Sequence, residues 1–291
     1  MRTTSRRGLL SLAALCGVAG FVTAGAGVVT LRSGQPAGAS GPGGARASAS
    51  PTPSPTPDLV AEAKAELERF VRANGGRISV ALHDRVTGAG LAVGTRQFRT
   101  ASIVKVDILA ALLLEDDTLT ATQRTLATEM ITVSDNDAAS RLFRTVGGVA
   151  GLNRANTAFG MKETRANSAW GVTTTTAADQ VRLLRSICDG KGPLSAPAAK
   201  FVLGLMTEVV EEQRWGVPAA APAGASGVWV KNGWVPVSAD DNLWVVNSIG
   251  RITEEGHDWL LAVLSDHHAT QEKGIELVER AAGVALGSMR G

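Results

Sequence analysis

The sequence predicts an α+β fold, in which an α/β sandwich lobe with an antiparallel sheet is joined to a helical lobe. Alternating apolar patterns typical of strands occur near both ends of the region 58–291, at residues 77–93 and 227–264. The stretch between them, residues 102–210, has mostly helical patterns, and helices are also expected at both ends of the region. This order favours one sheet flanked by terminal helices, with a helical insertion as the second lobe. A cleft between the lobes would be the natural pocket.

The first elements follow from local signals. Asp58 is expected to cap a helix, Gly75-Gly76 is expected to end it, and residues 85–88 form a turn between two strands. The segments predicted in this part are a helix at 58–74, strands at 77–84 and 90–93, and an apolar helix at 102–114.

The middle of the region is expected to be helical from Thr120 to Gly190, with breaks near Ser134, Gly147-Gly148 and 167–171. The threonine run 173–176 supplies N-caps for the helix that follows it. The later segments are predicted as helices at 177–188 and 195–210, strands at 227–232, 242–249 and 258–264, and a closing helix at 271–286.

The N-terminal segment 1–32 is predicted to be a signal peptide or a membrane anchor. Residues 8–31 form an uncharged stretch that is long enough to span a bilayer, and Ala24-Gly25-Ala26 fits the small-x-small pattern of a cleavage site. Arg6-Arg7 resembles the centre of a twin-arginine export signal. A lipidated Cys16 is disfavoured because a small residue is expected before a lipidated cysteine, and Leu15 is large. We therefore expect an exported, extracytoplasmic protein that is either secreted or anchored through residues 8–31.

Residues 33–57 consist almost entirely of Gly, Ser, Ala, Pro and Thr, and they are predicted to be an extended linker. The region 58–291 is predicted to be the functional domain. Residues 1–57 carry five arginines and no acid, so the rest of the chain has 24 basic and 27 acidic side chains, a net charge of −3. This mildly acidic body has no footprint for nucleic acid.

Other classes of chemistry have little support in the sequence. With two cysteines, Cys16 and Cys188, the chain has neither a disulfide-rich scaffold nor a Cys-based zinc cluster. His267-His268 has no H-E-x-x-H companion, and there is no G-x-S-x-G elbow or nucleotide-binding fingerprint. We expect no metal and no cofactor, and a monomer.

The first catalytic candidate is the pair Ser102 and Lys105. Their spacing of three residues puts the hydroxyl and the ammonium on one face of a helix. A serine needs a base to become a good nucleophile, and a lysine that is removed from water can be that base. Lys105 lies within a very apolar helix, which makes a purely solvated role for it less favoured.

Two further motifs come later in the chain. Ser134-Asp135-Asn136 lies at a predicted break between helices, and Lys231-Asn232-Gly233 follows a strand pattern. Each motif alone is typical of an ordinary turn or cap. Together and in this order, the three motifs resemble the S-x-x-K, S-D-N and K-T-G set of class A β-lactamases and penicillin-binding proteins. The resemblance covers roughly residues 58–291 and implies a β-lactamase/transpeptidase-like fold.

By this resemblance, Ser102 is the acylated nucleophile and Lys105 activates it. Ser134 relays a proton to the leaving nitrogen, Asn136 holds the substrate amide, and Lys231 attracts the substrate carboxylate. The substrate-binding strand also contains Asn232, Gly233 and Trp234, and the backbone N–H groups of Ser102 and Trp234 form the oxyanion hole.

The sequence departs from the family pattern in three places. The family's deacylating glutamate follows a Thr-Arg pair, but after Thr164-Arg165 residues 166–171 contain no carboxylate. Glu163 precedes that pair, and a surface or capping role is favoured for it. Asn232 stands where threonine is usual, and Trp234 replaces a small residue. The chain has no tyrosine, which excludes the tyrosine-based variant of this chemistry.

These features predict an exported serine hydrolase that acts on a β-lactam or a D-alanyl-type amide through a Ser102 acyl-enzyme, with weak deacylation. Two alternatives remain open. One is a cell-wall D,D-peptidase, which would use the same motifs on a peptidoglycan-derived peptide. The other is a sensor or binding module for β-lactams or muropeptides that does not turn over. Trp170 and Trp234 flank the predicted cleft in the sequence and are candidates to line it.

Overall fold

The computed structural model describes residues 57–290. The predicted signal peptide or anchor at 1–32 and the predicted linker, up to its last residue, lie outside the described residues. In chain order, the helices are α1 Pro57–Ala73, α2 Val104–Glu115, α3 Ala121–Thr132, α4 Asn136–Thr145, α5 Gly148–Ala158, α6 Ala177–Cys188, α7 Ala196–Thr207 and α8 Gln271–Arg290. The strands are β1 Ile78–Asp84, β2 Gly90–Val93, β3 Phe98–Arg99, β4 Thr174–Thr175, β5 Gly227–Val237, β6 Leu243–Glu254 and β7 His257–His268.

Five of these strands form one antiparallel sheet in the order β2-β1-β7-β6-β5, and β3 pairs with β4 in a separate two-stranded ribbon. The predicted α+β fold, with an antiparallel sheet and a helical insertion, is confirmed. No helix within residues 57–290 combines the length and the hydropathy needed to cross a membrane.

The sheet separates two apolar cores. Alternate residues of β1 point to opposite faces, so Val80 and Leu82 join one core and Ala81 joins the other. The first core is completed by α1 and α8, and the second by the helical lobe. Helix α2 is the centre of that second core, because every residue from Val104 to Leu113 is buried. An apolar sequence without a polar face predicts such a central helix.

The threonine run caps a helix as predicted, through one residue. The hydroxyl of Thr176 accepts a hydrogen bond from the backbone N–H of Asp179 at the start of α6. The expectation that residues 120–190 are helical apart from short breaks is wrong between Phe159 and the predicted break at 167–171, so the tract from Phe159 to Thr176 is mostly non-helical. This tract contains only the 3₁₀ turn Trp170–Val172 and the strand β4. The two-residue strands β3 and β4 are too short to leave a pattern in the sequence.

Strand β5 is longer than the sequence suggested. The turn-like sequence at 231–233 was expected to end it, but the strand continues to Val237 and includes Gly233 and Pro236. Because β5 is an edge strand, a proline and a glycine are tolerated within it. The extension carries Trp234 along one wall of the site described below.

Candidate active site

Ser102 lies in the 3₁₀ turn Ala101–Ile103, between β3 and the start of α2. The residue before it, Ala101, has a φ of 46°, which is unusual for a residue other than glycine. Such backbone strain is typical of functional sites and persists only where the surroundings hold it. The side chain of Ser102 is half-buried and faces a cavity of about 530 Å³.

Two residues of the sheet hold this turn in place. The amide of Asn247 on β6 donates hydrogen bonds to the carbonyl oxygens of Arg99 (2.8 Å) and Thr100 (3.1 Å). Gly233 on β5 is the register partner of Asn247, and a Cβ at position 233 would lie 2.7 Å from the backbone nitrogens of Ser102 and Ile103. Only glycine therefore allows β5 to pass this close to the nucleophile turn. The sequence did not reveal the role of Asn247.

Lys105 is fully buried one turn after Ser102. Its Nζ donates to the carbonyl oxygen of Ser134 at 2.6 Å, to the Ser134 Oγ at 3.0 Å, and to the Oδ1 of Asn136 at 2.8 Å. Burial lowers the pKa of Lys105 to about 8, although the nearby charge of Asp135 raises it in part. A substantial fraction of the amine is neutral near pH 8, as a general base requires.

Lys231 approaches the same hydroxyl from the sheet. Its Nζ donates to the Oγ of Ser134 at 3.1 Å and to the carbonyl oxygen of Asn232 at 2.9 Å. Complete burial lowers the pKa of Lys231 well below its usual value, and the charge of Lys105 lowers it further. The Ser134 hydroxyl thus lies between two lysine side chains that cannot easily be charged together.

Ser134 occupies the sharp link between α3 and α4. Its φ of 59° is in the left-handed region, and Asp135 caps α4 by accepting a hydrogen bond from the N–H of Ala138 at 2.7 Å. The cap turns the chain so that Ser134 and Asn136 both reach Lys105. Of these residues, Ser102 and Asn136 line the cavity.

Trp170 covers the lysine from the other side. The Nζ of Lys105 lies 5.0 Å from the centroid of the Trp170 ring, within the range of a cation–π contact. The indole N–H donates to the Oγ of Ser140 on α4 at 3.1 Å. No carboxylate side chain is among the described residues that line the cavity. Glu163 is exposed and does not line it.

The tract that leads to Trp170 is held by Asp179 at the start of α6. Its carboxylate accepts hydrogen bonds from the backbone N–H groups of Lys162, Glu163 and Thr164 and from the Thr164 hydroxyl, at 2.7 to 2.9 Å. Burial alone would raise the pKa of Asp179, but these bonds outweigh it and the pKa is lowered. Asp179 was not singled out from the sequence.

Asn232 and Trp234 lie in different surroundings. Both N–H groups of the Asn232 amide donate to backbone carbonyls, of Gln213 and Trp215, each at 2.8 Å, and the side chain is fully buried. Through these two bonds Asn232 ties β5 to the preceding segment. Trp234 lines the cavity, and its ring contacts Trp215 edge to face at a centroid distance of 5.7 Å.

We also considered a metal site and a reactive cysteine among the described residues. Within residues 57–290, no group of three or more His, Cys, Asp or Glu side chains could hold a metal ion. Burial raises the pKa of the Cys188 thiol to about 11, so this thiol remains protonated at neutral pH.

The fold, with its antiparallel sheet and helical lobe, is that of the β-lactamase-like and penicillin-binding-protein-like proteins. A family model described as the beta-lactamase enzyme family matches residues 114–288, and the chain belongs to that family. The matched range includes Ser134, Asn136 and Lys231 and begins after Ser102 and Lys105.

Among curated proteins, the chain is similar to the "Putative lipoprotein LppW" of Mycobacterium tuberculosis and of Mycobacterium bovis. The identity is 30% over 176 residues, which cover 56% of this chain and 55% of the relative. The chain thus spans about half the length of the curated relatives it matches.

Solved structures share the fold at lower identity. A variant of PBP-A in an acyl-enzyme complex with penicillin G is 21% identical, with a TM-score of 0.67 over 82% of this chain and 99% of the other. A variant of the class A β-lactamase of the last common ancestor of Gram-negative bacteria is 23% identical, with a TM-score of 0.65 over 79% and 98%. A variant of the extended-spectrum β-lactamase TLA-1 is 16% identical, with a TM-score of 0.69 over 80% of this chain and 99% of the other.

Proposed function

We propose that this protein forms an acyl-enzyme at Ser102 with a β-lactam or a D-alanyl-type amide and releases the acyl group slowly. The observation that carries the proposal is the position of the Ser134 Oγ, 3.0 Å from the Nζ of Lys105 and 3.1 Å from the Nζ of Lys231, beside the cavity that Ser102 faces. This arrangement places a base and a proton donor side by side, near the cavity that the proposed nucleophile faces.

In the proposed acylation, neutral Lys105 takes the proton from the Ser102 hydroxyl while Oγ attacks the carbonyl carbon. The developing oxyanion is stabilised by the backbone N–H groups of Ser102 and Trp234. The carbon–nitrogen bond then breaks, and Ser134 gives its proton to the leaving nitrogen. Protonated Lys105 returns a proton to Ser134, so the lysine ends neutral and the serine ends as an ester.

Hydrolysis of that ester needs a base that activates water. In the tract where the resembled family has its deacylating glutamate, the cavity is lined by Trp170, and no carboxylate is among the described lining residues. A persistent acyl-enzyme follows from this composition. The same observation favours the second candidate function, a β-lactam or muropeptide sensor that is acylated once.

Export is also part of the proposal. The basic start, the uncharged stretch 8–31 and the linker 33–57 support a body displayed outside the cytoplasm, and the matched relative is named a lipoprotein. The partner we propose is a small β-lactam or a peptidoglycan-derived peptide, bound by a monomer.

The test is intact-protein mass spectrometry of the full chain mixed with benzylpenicillin, followed by peptide mapping of the adduct. We expect one added penicilloyl group on the peptide that contains Ser102. Ser102→Ala should give none, whereas Ser226→Ala, a serine outside the cavity, should behave as the unmodified protein does. No adduct, or an adduct that survives Ser102→Ala, would contradict the proposal. Release of D-alanine from a D-alanyl-D-alanine peptide would identify the D,D-peptidase alternative.

A further inference from the structure

Arg99 lies at the wall of the active-site cavity, three residues before Ser102. Its backbone is fixed on both sides. It pairs with Thr174 in the β3–β4 ribbon, and its carbonyl oxygen accepts the hydrogen bond from Asn247. The residue is half-buried, and its guanidinium makes no ion pair and no hydrogen bond with any residue in the range 57–290. An arginine at a cavity wall whose guanidinium has no protein partner can bind an anionic group of a ligand through charge-assisted hydrogen bonds.

Two acids near this wall already contact other basic side chains. Arg99 also borders a smaller crevice that contains Asp240 and Asp266. Asp266 accepts a hydrogen bond from Arg77 at 2.8 Å and lies 3.7 Å from Arg96. Asp240 lies 3.1 Å from the Nε2 of His267. The pairing of these carboxylates leaves the charge of Arg99 available to a molecule in the cavity.

Arg99 and Lys231 lie toward opposite ends of the site. The smaller crevice contains both Arg99 and Val237, so Arg99 is near the end of β5. Lys231 lies six residues earlier, which corresponds to about 20 Å along an extended strand. Gly233 and Trp234, beside the Ser102 turn, fall between them. A substrate whose leaving group points toward Lys231 therefore extends its acyl portion toward Arg99.

We propose that Arg99 binds a carboxylate on the acyl portion of the substrate, on the side of the scissile carbonyl away from the leaving group. This inference rests on the proposed acylation of Ser102. The natural acyl donor is then a short peptide or amide with an acidic group in its acyl part. With a second carboxylate beside the leaving nitrogen, it has a negative charge at each end of the cavity.

The test compares two penicillins that differ by one carboxylate. Carbenicillin is benzylpenicillin with an added carboxylate on the acyl side chain. The measured quantity is the ratio of their second-order acylation rate constants on the full chain. Arg99→Met should lower the carbenicillin-to-benzylpenicillin ratio roughly tenfold, the usual effect of losing one charged hydrogen-bonding partner. Arg99→Lys should retain most of the ratio.

Arg96→Met is the matched control, because Arg96 is exposed and does not line the cavity. An unchanged ratio in Arg99→Met, or an equal fall in Arg96→Met, would overturn the proposal. If neither penicillin acylates the protein, the proposed function is wrong, and equilibrium binding of the same compounds decides the role of Arg99. Loss of the affinity difference in Arg99→Met supports that role, and an unchanged difference contradicts it.

Discussion

The indole of Trp170 lies across the ammonium group of Lys105, 5.0 Å from ring centroid to Nζ. The contact joins the tract after Thr164-Arg165 to the base of the proposed acylation. An aromatic ring at this place excludes water from Lys105 and supplies no base for a water molecule. Lys105 is thus suited to activating Ser102, and the resulting acyl ester is protected from hydrolysis.

Replacing Trp170 should shorten the life of the acyl-enzyme. Trp170→Ala opens the face of Lys105 to water, and we expect the penicilloyl adduct to decay severalfold faster, as followed by intact mass. Trp170→Phe keeps an aromatic ring and should preserve most of the lifetime. Trp229→Ala controls for the loss of an indole, since Trp229 contacts Arg251 and does not line the cavity. Equal lifetimes in Trp170→Ala and the unmodified protein would refute this role.

The rate of acylation should rise with pH through the titration of Lys105. Because the pKa is about 8 and the neutral amine is the active form, the rate should fall roughly tenfold for each pH unit below 8 and level off above it. The measurement is the acylation rate constant between about pH 6 and pH 10. Lys105→Arg, which stays protonated, should be very slow at every pH. A flat profile in the unmodified protein would rule out Lys105 as the base.

Asp107 should make the fold less stable as the pH rises. This carboxyl is fully buried on α2, and burial raises its pKa to about 8. Between about pH 4 and pH 8 the folded state therefore binds more protons than the unfolded state, and stability is lost as the pH rises.

Asp107→Asn should remove that loss. Between pH 5 and pH 8, we expect the free energy of unfolding to fall by about 2–4 kcal/mol more in the unmodified protein than in the variant, as measured by urea unfolding. Asp117→Asn, in the exposed bend that follows the same helix, is the control. Parallel stability profiles for the unmodified protein and Asp107→Asn would show that Asp107 does not titrate in this range.

Gly233→Ala should disable acylation by moving the nucleophile turn. The added Cβ would meet backbone atoms of Ser102, Ile103 and Thr100 at 2.7 Å, and backbone cannot yield as a flexible side chain can. A displacement of about 1 Å at a nucleophile can reduce the rate roughly a hundredfold. Gly287→Ala on α8 has open space around it and should leave acylation unchanged. The measurement is the acylation rate constant with benzylpenicillin. Normal acylation of Gly233→Ala would contradict the packing described.

The general fold could be predicted from the sequence because its periodic patterns are long. Strand alternation at 77–84 and the apolar helix after Ser102 both correspond to observed elements. The ribbon of β3 and β4 could not be predicted, since two residues per strand carry no periodicity. The predicted strand β5 was too short because residues 231–233 have a turn-like composition, which an edge strand tolerates.

The three motifs pointed to Ser102, Lys105, Ser134 and Lys231. In the structure both lysines donate a hydrogen bond to the Ser134 Oγ. The surroundings of the site were harder to predict from the sequence. Whether Asn232 faces a substrate or the carbonyls of Gln213 and Trp215 depends on a distant segment. The position of Trp170 likewise depends on a non-helical tract and on Ser140.

The central claim is that Ser102 is acylated readily and deacylated slowly. The most direct measurement is the hydrolysis of nitrocefin, whose colour changes when its ring opens, by a known amount of the full chain. We predict a burst of about one equivalent followed by a much slower steady rate, because ring opening accompanies acylation and the next turnover waits for deacylation. Ser102→Ala should show no burst. Rapid linear turnover without a burst, or the same trace from Ser102→Ala, would contradict the account.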